Sequence, residues 1–135
     1  MKKILVLVLT LAAIFSLSAT KKPAQPTCGP FITFQNNSGT TVTSIDVSGP
    51  GAGPFTITNP GTSYGTAIGT FSPTFVVHFA AGIHSGTACF SEDDNGNLIT
   101  GKSFATNASS VTLTASNLTC TDYTLTISLA PVCPF

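Results

Sequence analysis

Between Tyr123 and Leu129 the chain alternates without a break: Tyr123, Leu125, Ile127 and Leu129 are separated by Thr124, Thr126 and Ser128. Side chains of an extended strand point to opposite faces in turn, so this spacing makes one apolar face and one hydroxyl face. A helix would scatter the same residues around its circumference. The alternation recurs. Ile32 and Phe34 alternate with Thr33 and Gln35, and Thr43, Ile45 and Val47 share a face in segment 41–48. Phe55 and Ile57 mark a short strand, segment 66–71 is a weak one interrupted by Gly69, and Val111, Leu113 and Ala115 alternate with hydroxyls. Segment 74–80 is different, because Phe75, Val76, Val77 and Phe79 put apolar groups on both faces, as expected of a central strand covered on both sides.

Turn signals divide these runs. Asn36-Asn37-Ser38-Gly39 reads as a hairpin turn, Gly49-Pro50-Gly51-Ala52-Gly53-Pro54 as a break and Asn59-Pro60-Gly61 as a turn. Asp93-Asp94-Asn95-Gly96, between strands 87–91 and 97–104, is the strongest hairpin signal, since Asn-Gly tolerates positive φ. With 22 threonines and 14 serines, few strong helix formers remain outside the first 19 residues. The expected fold is all-β: a single antiparallel β-sandwich, Ig-like or similar, of eight to nine short strands.

The amino terminus has the layout of a secretory signal peptide. Met1-Lys2-Lys3 is a positive start, an apolar run follows from Ile4, and Ser16-Leu17-Ser18-Ala19 is a small-residue exit. Ile4 to Leu17 is 14 residues long, short of the ~20 a membrane span needs, so no stable membrane anchor is expected after cleavage. This divides the chain into a signal peptide (1–19), a short Pro-containing leader (20–27) and a β-sandwich domain (28–135), with a bacterial origin and a periplasmic or extracellular destination. Without the signal, Lys21, Lys22 and Lys102 face Asp46, Glu92, Asp93, Asp94 and Asp122, a net charge of 3 − 5 = −2. Arginine is absent, so nucleic acid is not an expected partner.

Export also decides how the cysteines are read, because an oxidising compartment turns an even count into bridges. Cys28, Cys89, Cys120 and Cys133 allow three pairings. Cys120 and Cys133 flank an expected strand about 23 Å long, far beyond the ~5.5 Å reach of a disulfide. Two pairings remain: Cys28–Cys133 with Cys89–Cys120, preferred because it ties the termini together, or Cys28–Cys120 with Cys89–Cys133. No C-x-x-C pair exists, and His78 and His84 lack zinc-finger spacing from any cysteine, so no metal or other cofactor is expected.

Reactive constellations are scarce. Gly61-Thr62-Ser63-Tyr64-Gly65 matches G-x-S-x-G, but the extended pattern after it is not the helix a nucleophile elbow requires. His78 lies in an apolar strand and His84 in a loop, neither with a visible orienting partner. Glu92, Asp93, Asp94, Asn95 and Asn97 offer hard oxygen ligands for calcium, though an EF-hand register fails because it places Lys102 at the bidentate position. Tyr64, in a Gly-rich loop, combines a ring with a polar tip and is the candidate glycan contact. Charged residues are 7% of the chain, so hydroxyls and amides must cover most of the surface. The expectation is a secreted, non-catalytic binding or assembly module, whose partner is itself, a glycan or an envelope protein. Alternatives are a small secreted hydrolase using Ser63 or His78, and a disulfide-stapled inhibitor presenting a loop such as 49–54.

Overall fold

A computed structural model describes residues 29–50 and 52–133. The expected signal peptide and leader, together with Cys28, lie outside the described residues. Nine strands form among them: β1 (Phe31–Asn36), β2 (Val42–Gly49), β3 (Ala52–Thr58), β4 (Ser63–Ala67), β5 (Thr74–Phe79), β6 (Gly86–Glu92), β7 (Leu98–Phe104), β8 (Ser110–Thr114) and β9 (Asp122–Ser128). No helix occurs among the described residues. The strands make a five-stranded sheet, in the order β4-β1-β9-β6-β7, and a four-stranded sheet, β3-β2-β5-β8.

The two sheets share one core, a two-layer arrangement consistent with a β-sandwich. Ile32, Phe34, Ala88, Phe90, Tyr123, Leu125 and Ile127 of the first meet Ile45, Val47, Phe75, Val77, Val111 and Leu113 of the second. Rings stitch the layers: Phe75 lies 6.0 Å from Phe34 and 5.2 Å from Phe90, and Phe79 lies 4.9 Å from Phe104, centroid to centroid. These are favourable aromatic separations. Tyr123 stacks on Phe90 at 5.4 Å, and its hydroxyl accepts a 2.9 Å hydrogen bond from the Thr119 amide, which ties the entry of β9 to the core.

Several expectations need correction. The five-stranded sheet is not purely antiparallel: β1 and β9 run parallel, with Phe31 beside Asp122 and Asn36 beside Ile127. Alternation encodes which side chains point inward, not which strands become neighbours or in which direction they run. The Asn36–Gly39 turn is not a hairpin, because β1 and β2 belong to different sheets; it carries the chain across the core. Thr43 does not share the face of Ile45 and Val47. A bulge between Val42 and Ser44 turns Val42 inward and Thr43 out. The break at 49–54 narrows to a tight connection, because β3 already begins at Ala52 and pairs with β2. The weak strand expected at 66–71 is displaced to Ser63–Ala67.

The strand buried on both faces is β6, not β5. In β5, Phe75, Val77 and Phe79 are buried while Val76 and His78 remain half-exposed. Every residue of β6 from Gly86 to Ser91 is buried. Its outward residues Thr87 and Cys89 are covered by the segment after β9. There the Thr87 hydroxyl donates to the Ala130 carbonyl and Cys89 is bonded to Cys133. On neighbouring β7, a Cβ at Gly101 would stand 2.6 Å from the Cys133 sulfur, so the missing side chain makes room for the strap.

The Cys89–Cys133 bridge, spanning 5.7 Å between Cα atoms, overturns the preferred pairing of Cys28 with Cys133 and of Cys89 with Cys120. The chain turns back over β6 after β9, and that return was invisible in the strand pattern. Cys120 is also disulfide-bonded. Cys28–Cys120 is the pairing that four cysteines then leave.

Candidate functional site

Antiparallel register fixes what each outer face presents, since directly opposed residues point the same way. Across the four-stranded sheet, Thr56, Asp46, Val76 and Thr112 form one row, and Thr58, Ser44, His78 and Ser110 the next. The two ionisable groups meet diagonally: Asp46 Oδ2 lies 2.8 Å from His78 Nε2, and Asp46 Oδ1 accepts a 2.6 Å hydrogen bond from the Thr56 hydroxyl. Three side chains from β3, β2 and β5 are thereby linked. The hydrogen bonds from Thr56 and His78 hold the Asp46 carboxyl below its ordinary value of 3.8, with the charge of His78 adding to them against a small opposing effect of desolvation.

Asp46 was missed as a partner for His78. Alternation puts both outside, but 32 residues separate them and only the β2–β5 register makes them neighbours. The pair orients the imidazole as a base would require, leaving Nδ1 without a hydrogen bond to a serine or threonine hydroxyl among the described residues. It stands on the outer face of the four-stranded sheet. The hollows of the surface are lined elsewhere: about 290 Å³ between loops 38–41 and 80–84, with His84 at the rim, and about 200 Å³ beside Ser85, Phe104 and Pro131.

Ser63 is not brought to His78. It opens β4, opposite Gln35, on the edge of the other sheet, and a strand rather than a helix follows it. Tyr64 lies in that edge strand and not in a loop; its ring is tilted against Phe34 at 6.3 Å and is 41% exposed. As the register partner of Phe34, it points toward the core side of β4.

The acidic hairpin forms as expected, with Gly96 at φ 63° and the Glu92 amide donating to the Asn97 carbonyl. Its carboxylates are turned to different partners. Glu92 accepts from Asn95 at 3.3 Å and from the Thr121 hydroxyl at 3.2 Å, and Asp93 accepts from the Thr124 hydroxyl at 2.6 Å. Asp94 and Asn97 are exposed. Among the described residues, no three His, Cys, Asp or Glu side chains are grouped so as to hold a metal ion. The connection at 49–54 is tied down at Pro50, whose carbonyl accepts from the buried Thr70 hydroxyl at 3.0 Å.

The class that fold and surface define is an all-β, two-sheet protein with at least one internal bridge and, among the described residues, no helix long and apolar enough to cross a membrane. Comparison with protein-family models, curated proteins and solved structures finds no match to this chain.

Proposed function

We propose that the chain is exported by removal of residues 1–19 and acts in the periplasm or outside the bacterial cell as a non-catalytic β-sandwich that binds or assembles. The observation that carries this reading is the outward chemistry of the four-stranded sheet: rows rich in threonine and serine, with the His78–Asp46 pair lying on that face and lining neither of the hollows described above. Bridged Cys89, Cys133 and Cys120 support an oxidising destination. Low charge supports assembly, because copies repel one another weakly. The edges differ in this respect: β7 carries Lys102 and β3 carries Pro54, whereas β4 and β8 have neither a charge nor a proline.

Fractionation of producing cells, followed by light scattering and ligand screening of the exported protein, tests the proposal. A product that keeps residues 1–19 in the cytoplasm, or one that stays monomeric at high concentration and binds nothing, overturns it. The His78–Asp46 pair favours a second reading, a small hydrolase with His78 as base. Retention of any activity found by ester, peptide and glycoside screening in His78→Ala and Asp46→Asn variants would remove that reading.

A further inference from the structure

The outer face of the five-stranded sheet is covered over β6, yet among the described residues the outward side chains of β4, β1 and β9 stay exposed or half-exposed. Phe31, Thr33 and Gln35 point outward from β1; Asp122, Thr124 and Thr126 stand beside them on β9. Phe31 is 42% exposed, a poor place for a ring that serves only packing. It is seated nonetheless. A Cβ at Gly65 on β4 would lie 2.5 Å from Phe31 Cζ and 2.8 Å from Cε1, so the far edge of the ring fills the space of a side chain the edge strand lacks.

The polar groups around the ring leave most of their hydrogen-bonding capacity unused. On β9 only the Thr124 hydroxyl is engaged, donating to Asp93 at 2.6 Å. Along the open strip, the side chains of Thr33, Gln35 and Thr126 make no hydrogen bond among the described residues. Gln35 offers two donors and an acceptor, each hydroxyl offers both, and the exposed Asp122 carboxylate accepts. From Phe31 to Gln35 the strip runs about 13 Å at ~3.3 Å per residue, and the rows of β1 and β9 stand ~4.8 Å apart.

We propose that this strip is a binding site for a neutral oligosaccharide, with Phe31 as the platform for one sugar ring and Asp122, Thr33, Gln35 and Thr126 as hydrogen-bonding partners. The inference rests on the binding reading above and narrows it to one surface and one ligand class. Ligand chemistry follows from the side chains. Lys102, the one lysine among the described residues, is on β7, away from the strip, so no described cation is there to neutralise an anion and Asp122 repels it. A purely apolar ligand would leave the amide and hydroxyls unpaired. A sugar ring has a C–H face for the aromatic and hydroxyls for the rest.

The test is titration of the exported protein with neutral gluco-, manno-, galacto- and N-acetylglucosamine oligomers, with an anionic uronic-acid oligomer and polylysine as contrasts. Phe31→Ala is expected to weaken binding of a neutral oligomer at least tenfold, and Gln35→Ala by a few-fold. Gly65→Ala is the sharper probe, because its methyl displaces the ring and leaves Phe31 in the chain; it should weaken binding several-fold. Thr112→Ala, on the other sheet, should change nothing. Unchanged thermal midpoints keep these variants interpretable. No binding of any neutral oligomer, or tighter binding of polylysine than of every sugar, overturns the proposal. Sugar binding indifferent to Phe31→Ala and Gly65→Ala also overturns it, while leaving the broader binding reading in place.

Discussion

β6 and β1 lie in one sheet, with β9 between them, and turn their outward side chains to opposite surroundings. On β6, Thr87 and Cys89 are buried beneath the strap that returns after β9; on β1, Phe31 faces outward exposed and Thr33 and Gln35 half-exposed. Both strands mix apolar and hydroxyl-bearing residues, so the difference is not one of composition. It comes from where the chain goes after β9, from the covalent anchor at Cys89 and from the space left at Gly101. One outer surface is thus partly converted to interior by a segment that is not a strand, and the rest stays available for recognition.

The comparison breaks most decisively if the strap is released. Replacing Cys89 and Cys133 together by alanine should cost about 2–4 kcal/mol, as expected for a bridge closing a loop of this size. Chemical denaturation reads the loss, and amide exchange should rise around Ala130 while the β1–β9 ladder stays protected. An unchanged midpoint would mean that the strap adds nothing to the cover of β6. Gly101→Ala should come next, at about 1–3 kcal/mol, because the added methyl meets the Cys133 sulfur. A thermal melt compared with that of Gly65→Ala sharpens the contrast, since in the latter only the end of an exposed ring has to move.

Thr87→Val should lose about 1 kcal/mol in denaturant titration, the ordinary worth of the hydrogen bond to Ala130. Val76→Thr, outward on β5, should stay within about 0.5 kcal/mol in the same titration, because that face has no strap. The smallest effect is on acid sensitivity. A carboxyl held below 3.8 in the folded chain adds stability that is present above that value and is lost as pH falls through the lower, folded value. Asp46→Asn should therefore flatten the acid limb of the stability profile below about pH 4, and leave its slope near neutrality unchanged.

Much of the strand content was legible because burial on one face leaves an unambiguous mark. β9 shows it most clearly, with Tyr123, Leu125 and Ile127 buried and the residues between them half-exposed. The 93–96 turn was equally legible, since Gly96 supplies the positive φ. Other features were hidden for specific reasons. The apolar run around Val76 and Val77 suggested two buried faces, yet Val76 only needed shelter from its sheet neighbours. β6, which is buried on both faces, displays Thr87, a residue that signals exposure until another segment arrives to bond and cover it. Of the candidate site, Tyr64 was visible as an aromatic in a Gly-rich stretch, whereas the seat of Phe31 on Gly65 joins residues 34 positions apart in the chain.

By itself, the order of residues determined that the chain folds as strands, which side chains turn inward along most of them and where the sharpest turn falls, because these follow from contacts within a few residues. Pairing was decided only in three dimensions: β1 parallel to β9, Asp46 beside His78, Cys89 bonded to Cys133 and a strap across one half of an outer face. Those choices depend on which distant surfaces meet once loops have closed, and a pattern with a period of two residues carries no information about that.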